Sequence, residues 1–98
     1  MKVVKAHNMT REEATRKIDG EFSKLMIHFD ETVSDANHSW RDDVMEFSFR
    51  ARGFDFKGTL KITHDNVDIE LDLPVMLRPF QGLAQEKLEE GLDDFLDV

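Results

Sequence analysis

The sequence contains no cysteine, so it can build no disulfide framework and offers no thiolate chemistry. Apolar runs are short. None approaches the roughly 18 residues that a membrane helix needs, and the opening "MKVVKAHN" has no apolar segment of the secretory type. A cytoplasmic location without a transmembrane segment is the expectation. Basic residues are in the minority, 13 Lys and Arg against 21 Asp and Glu, which gives a formal charge of −8. Such a field repels phosphate backbones and anionic membrane surfaces, so nucleic acid is not an expected partner. A Gly-rich phosphate loop is missing: Gly53 and Gly58 flank a strand-like run instead of opening a helix. The histidines stand at 7, 28, 38 and 64, with no two of them three or four residues apart, so no helical metal site is expected. They read as surface or half-buried imidazoles. Adjacent carboxylates such as Asp42–Asp43, Glu89–Glu90 and Asp93–Asp94 read as a solvated face, because neighbours on a helix point in different directions and do not converge on a substrate. With no nucleophile–base set either, the expectation is a non-enzymatic protein with no catalytic residue, no metal and no cofactor.

What remains, 40% hydrophobic and 35% charged residues in a chain of 98, suits one globular domain over residues 1–98. "KVVKAH" is short and β-branched and reads as a strand. The period then changes. Thr10 is a good N-cap, Glu13 completes a capping box, and Met9 is placed to staple onto Ala14. Ala14, Ile18, Phe22, Leu25, Met26 and Phe29 form one stripe along a helix of about five turns. Gly20 interrupts it at a cost of about 1 kcal/mol, with close packing against a strand as one reason for its presence.

Three hairpins follow. With Asp42–Asp43 as a turn, Trp40 faces Met45 and His38 faces Phe47. With Ala51–Arg52 as the next turn, Phe49 faces Phe54, Phe47 faces Phe56, and Gly58 lies opposite Met45. With Asp65–Asn66 as the third, Ile62 faces Ile69 and Leu60 faces Leu71. These registers also set Glu46 against Lys57 and Lys61 against Glu70 on the other face. An antiparallel sheet with one apolar and one charged face results. Its expected inward set is Trp40, Met45, Phe47, Phe49, Phe54, Phe56, Leu60, Ile62, Ile69 and Leu71. A second amphipathic run, with Leu83, Ala84, Leu88, Leu92, Phe95 and Leu96 on one side, supplies another helix to cover that face.

Both prolines fall in "DLPVMLRPFQG". Pro74 suits an edge or bulge near the end of the last strand, and Pro79 presets φ at the start of the last helix. The segment is a fixed corner, and Val75, Met76, Leu77 and Phe80 on it are a candidate exposed lip for a partner. Trp40, Phe54, Phe56 and Gly58 are candidates for a small ligand cavity under the helices, against the simpler reading of these aromatics as core.

The ordered set resembles the polyhydroxyalkanoic acid system proteins, small bacterial proteins associated with polyhydroxyalkanoate synthesis genes. The resemblance spans about residues 3–97 and rests on the capped helix "TREEATRKIDGEFSKL", on Trp40 before a short turn, on Gly53 and Gly58 around "FDFK", on "GTLKIT" and on "RPFQG". The chain departs from the family pattern at Asp42–Asp43 and at Pro74, where a Gly is usual, and in "DETVSD". The resemblance implies a role in granule assembly or regulation, with a polyhydroxyalkanoate granule or a granule protein as partner, and carries over no catalytic residue. The order of elements also looks like a reduced helix-grip fold: a five-stranded antiparallel sheet of order 2-3-4-5-1 with two helices on one face. Two functions are therefore expected to compete. One is an accessory protein acting through an apolar or partner-mediated contact. The other is a small acyl or hydroxyacyl ligand-binding domain.

Overall fold

A computed structural model of the protein describes residues 1–96, the Phe95 side chain excepted, so the expected place of Phe95 on the last helix lies outside the described residues. The elements run β1 (Lys2–Ala6), α1 (Arg11–Phe29), β2 (Ser34–Arg41), β3 (Val44–Ala51), β4 (Phe54–Ile62), β5 (Asn66–Asp72), a 3₁₀ segment (Val75–Phe80) and α2 (Gln81–Leu96). The strands form one antiparallel sheet in the order β1-β5-β4-β3-β2, and both helices cover its apolar face. The α+β arrangement matches the expected order and resembles a reduced helix-grip fold.

Helix α1 begins where its local signals put it. The Thr10 hydroxyl accepts the Glu13 N–H at 3.1 Å, and the Glu13 carboxylate accepts the Thr10 N–H in return. All six residues of its expected stripe are buried. They meet the sheet through aromatic pairs: Phe22 with Phe47 at 5.6 Å between ring centroids, and Phe29 with Phe49 at 5.6 Å and Phe56 at 6.2 Å. Gly20 faces open space, so close packing does not explain it.

The β2–β3 hairpin has the expected register, Trp40 beside Met45 and His38 beside Phe47. One extra residue in β2, between Ser34 and Asn37, makes a bulge with Asp35 at φ 52°.

The next two registers are each displaced by two residues from expectation. In β3–β4, Ala51 pairs with Phe54, Phe49 with Phe56 and Phe47 with Gly58. The turn is Arg52–Gly53, at φ 53° and φ 81°, not Ala51–Arg52. A tight hairpin turn needs left-handed backbone, and glycine enters that region without a Cβ penalty. In β4–β5, Ile62 pairs with Val67, Leu60 with Ile69 and Lys61 with Asp68. The turn is His64–Asp65, because the Thr63 hydroxyl accepts the Asn66 N–H at 2.9 Å and donates to the Asn66 carbonyl at 3.1 Å. The slips are even, so every face assignment survives. Met45, Phe47, Phe49, Phe56, Leu60, Ile62, Ile69 and Leu71 are buried, Trp40 and Phe54 are half-buried against them, and Glu46, Lys57, Lys61 and Glu70 are on the solvated side.

His7 is neither surface nor half-buried. It is enclosed between β1 and the β4–β5 turn, with Nδ1 accepting the Met9 N–H at 3.2 Å and Nε2 within 2.9 Å of the Thr63 carbonyl. That pair of partners selects the tautomer with the proton on Nε2.

Candidate functional site

Pro74 lies beyond β5 and opens the 3₁₀ segment, its carbonyl accepting the Leu77 N–H at 2.8 Å. It does not occupy a strand edge or bulge, because the sheet has already ended at Asp72. Pro79 lies inside the 3₁₀ segment and leads directly into α2. Short 3₁₀ pieces of this kind are common leads into α-helices. The corner holds apolar side chains outward: Val75 is 73% exposed, Met76 76%, Phe80 59% and, on the first turn of α2, Leu83 56%. Leu77 departs from its expected place on this lip. It turns inward and packs, half-buried, on the core. Leu83 was expected on the covered stripe of α2. It is exposed and lines a cleft instead.

That cleft, of about 420 Å³, sits at the end of the sheet where four segments meet. Its apolar lining comes from Phe54 and Phe56 of β4, from Leu73, Leu77 and Phe80 of the corner, and from Leu83 and Ala84 of α2. Phe29, at the end of α1, also lines it. The residues expected to line one cavity are divided. Phe54 and Phe56 line the cleft, whereas Trp40 and Gly58 lie elsewhere. The Trp40 indole N–H donates to Asp19 on α1 at 2.8 Å. The space above Gly58 is already filled, since a Cβ there would lie 2.5 Å from the Glu70 carbonyl oxygen and 2.6 Å from Phe47 Cζ. Lip and cleft, expected as separate places, share Phe80 and Leu83 and adjoin one another.

The polar part of the cleft is built by the end of α1 and the β3–β4 turn. Asp30 caps α1, and its carboxylate accepts from the Thr32 N–H at 2.8 Å, the Thr32 hydroxyl at 2.7 Å and Arg52 Nε at 2.6 Å. The Thr32 hydroxyl also accepts the Arg52 backbone N–H at 3.1 Å, which helps hold Arg52 in its left-handed conformation. Burial alone would raise the Asp30 carboxyl; the donors from Arg52 and Thr32 outweigh it and hold it at about 2. Arg52 is stabilised as a cation by the same bond. Lys87, half-buried on α2, also lines the cleft, and no ion pair engages it among the described residues. Sequence patterning missed Asp30, Arg52, Leu73 and Lys87 as site residues. They come from separate segments and only the fold gathers them.

Other polar clusters have structural partners. Asp19 accepts from both Trp40 and His38, joining α1 to the edge strand β2, and the Trp40 and His38 bonds lower its pKa. The expected solvated carboxylates are partly engaged: Asp43 with Arg11, and Asp93 with Lys5 at 3.1 Å. Among the described residues no three His, Asp or Glu side chains gather as a metal-ion set, and no helix is long and apolar enough to cross a membrane.

The family model described as "Putative polyhydroxyalkanoic acid system protein" matches residues 1–96. The chain belongs to this family. No curated protein matches it, and no solved structure does.

Proposed function

We propose that the protein is a non-catalytic, cytoplasmic accessory component of the polyhydroxyalkanoate system, acting in granule assembly or regulation through an apolar contact with the granule or a granule protein. One observation carries this reading: Val75, Met76, Phe80 and Leu83 stand together at one corner, each more than half exposed. Large apolar side chains exposed within one short segment point to a contact site, whereas scattered single side chains do not. A domain of charge −8 gains little from electrostatic attraction to such a partner.

The test is co-sedimentation of purified protein with polyhydroxyalkanoate granules. Val75→Ser with Met76→Ser should weaken it by about tenfold or more, since each side chain buried in a contact contributes roughly 1.5–3 kcal/mol. Both side chains are exposed and lie outside the cleft, so the melting temperature should be unchanged. Added salt should leave binding nearly intact, because screening acts on charges. Unchanged binding by the double variant, or collapse of wild-type binding in moderate salt, would refute the contact.

The second reading, a small acyl or hydroxyacyl ligand site, has its own support. The cleft at Phe54 and Phe56 is apolar and its volume falls within the roughly 300–1,000 Å³ of small-molecule pockets.

A further inference from the structure

We infer that the cleft binds the end of a single-chain carboxylate amphiphile. The acyl chain lies against Phe54, Phe56 and Leu77, and the carboxylate meets Lys87 and the outer edge of the Arg52 guanidinium. The inference rests on the acyl-site reading and adds the head group to it.

Charge at the cleft is the reason for the head group. The protein is acidic overall, yet the charged side chains lining this cleft are Asp30, Arg52 and Lys87. Asp30 and Arg52 satisfy one another through Nε, and Asp30 also takes two donors from Thr32. That leaves Lys87 and the terminal N–H groups of Arg52, which have no hydrogen-bond partner among the described residues. Within the lining the balance is one net positive charge, Arg52 and Lys87 against Asp30, with Glu31 close enough to act on Arg52 from outside it, and such a rim over an apolar wall is complementary to an anion on a hydrocarbon chain. A neutral chain would leave the rim unused, and a cationic one would be repelled. At about 420 Å³, near the lower end of the usual range, the cleft suits one chain better than the paired chains of a membrane lipid. The network that fixes Asp30 and Arg52 presets one side of the rim before any ligand arrives, which lowers the ordering cost of binding.

The experiment compares octanoate with 1-octanol, two ligands of equal chain length that differ in the head group. Affinity is followed by NMR shifts of the cleft side chains at neutral pH. Ligands this small should bind at about millimolar strength. Octanoate should bind roughly five- to tenfold more tightly than octanol. Lys87→Gln should remove most of that difference without altering octanol binding, a split that a merely structural role for Lys87 would not produce. Ala84→Phe should plug the cleft and abolish both; if that variant fails to fold, Lys87→Gln still decides the question. Equal wild-type affinities for the two ligands would overturn the carboxylate assignment while leaving the acyl site standing. If neither ligand moves the cleft resonances, the acyl-site reading falls as well. Binding to phosphatidylcholine–phosphatidylglycerol vesicles without binding to free octanoate would overturn the inference in favour of a membrane surface.

Discussion

Gly58→Ala should destabilise the protein by about 2 kcal/mol. Gly58 lies mid-strand in β4 between Phe47 of β3 and Leu71 of β5, and its missing side chain would point inward. An added Cβ would sit 2.5 Å from the Glu70 carbonyl oxygen and 2.6 Å from Phe47 Cζ, both far inside contact distance. Neither neighbour gives way cheaply. Glu70 is paired with Thr59 on one side and Lys2 on the other, so its backbone is held by two ladders. The Phe47 ring is packed at 5.6 Å from Phe22 and 6.3 Å from Phe49, so moving it displaces the α1 interface. Overpacking of this kind costs about 1–3 kcal/mol, and the upper part of that range applies because backbone must move. Against it stands a gain of roughly 0.5–1 kcal/mol from replacing a flexible glycine in a strand. The net of about 2 kcal/mol is a large share of the roughly 5–15 kcal/mol available to a domain. Urea denaturation, followed by far-UV circular dichroism and by Trp40 fluorescence, should show a lower midpoint at unchanged slope. The same change made in a Phe47→Leu background should cost about 1 kcal/mol less if the ring carries its share of the clash. A Gly58→Ala protein as stable as wild type, or more so, would show that β4 and β5 are not held as closely as described.

Two further outcomes are expected. Phe47→Ala, which empties a buried site between Phe22 and Phe49, should lower stability by about 3–5 kcal/mol; a loss below about 1 kcal/mol in the same denaturation assay would remove Phe47 from the core. Asp30, held at about 2 in the folded chain, binds its proton more weakly there than when unfolded. Its contribution of about 2 kcal/mol is therefore complete above the ordinary carboxylate value near 4 and is lost as pH falls toward 2. Urea midpoints measured between pH 2 and 6 should fall with acid more steeply in wild type than in Asp30→Asn, and equal slopes would show that the Arg52 and Thr32 bonds do not hold in solution.

The parts of the fold legible in the sequence were those with local causes. The Thr10–Glu13 box and the α1 stripe needed only residues within a few turns of each other, and every position matched. The sheet faces were legible because side chains alternate with a period of two, which is also why the registers of β3–β4 and β4–β5 were not. A slip of two residues keeps every apolar side chain inside. It also leaves opposite charges paired, though not the expected ones: Lys61 meets Asp68 in place of Glu70, and Arg50 meets Asp55, whereas Glu46 faces Thr59 and Lys57 faces Ser48. Patterning therefore cannot separate the two registers, and turn chemistry must. In the β3–β4 hairpin the deciding residue was Gly53, which takes φ 81° beside Arg52. The site shows the same division. Phe54 and Phe56 could be chosen from sequence as aromatic wall, and the two prolines marked the corner that carries the lip. What joins them is the termination of β5 at Asp72, which lets the 3₁₀ segment fold Leu77 inward and set α2 over the sheet's end. That placement turns Leu83 from an expected core residue into part of an exposed apolar surface, and it brings Lys87 to the mouth of a cleft lined from four segments of the chain. A cationic rim in so acidic a protein depends on this gathering: Lys87 stands in an acidic stretch, and Arg50, the other cation beside Arg52 in the sequence, is paired with Asp55.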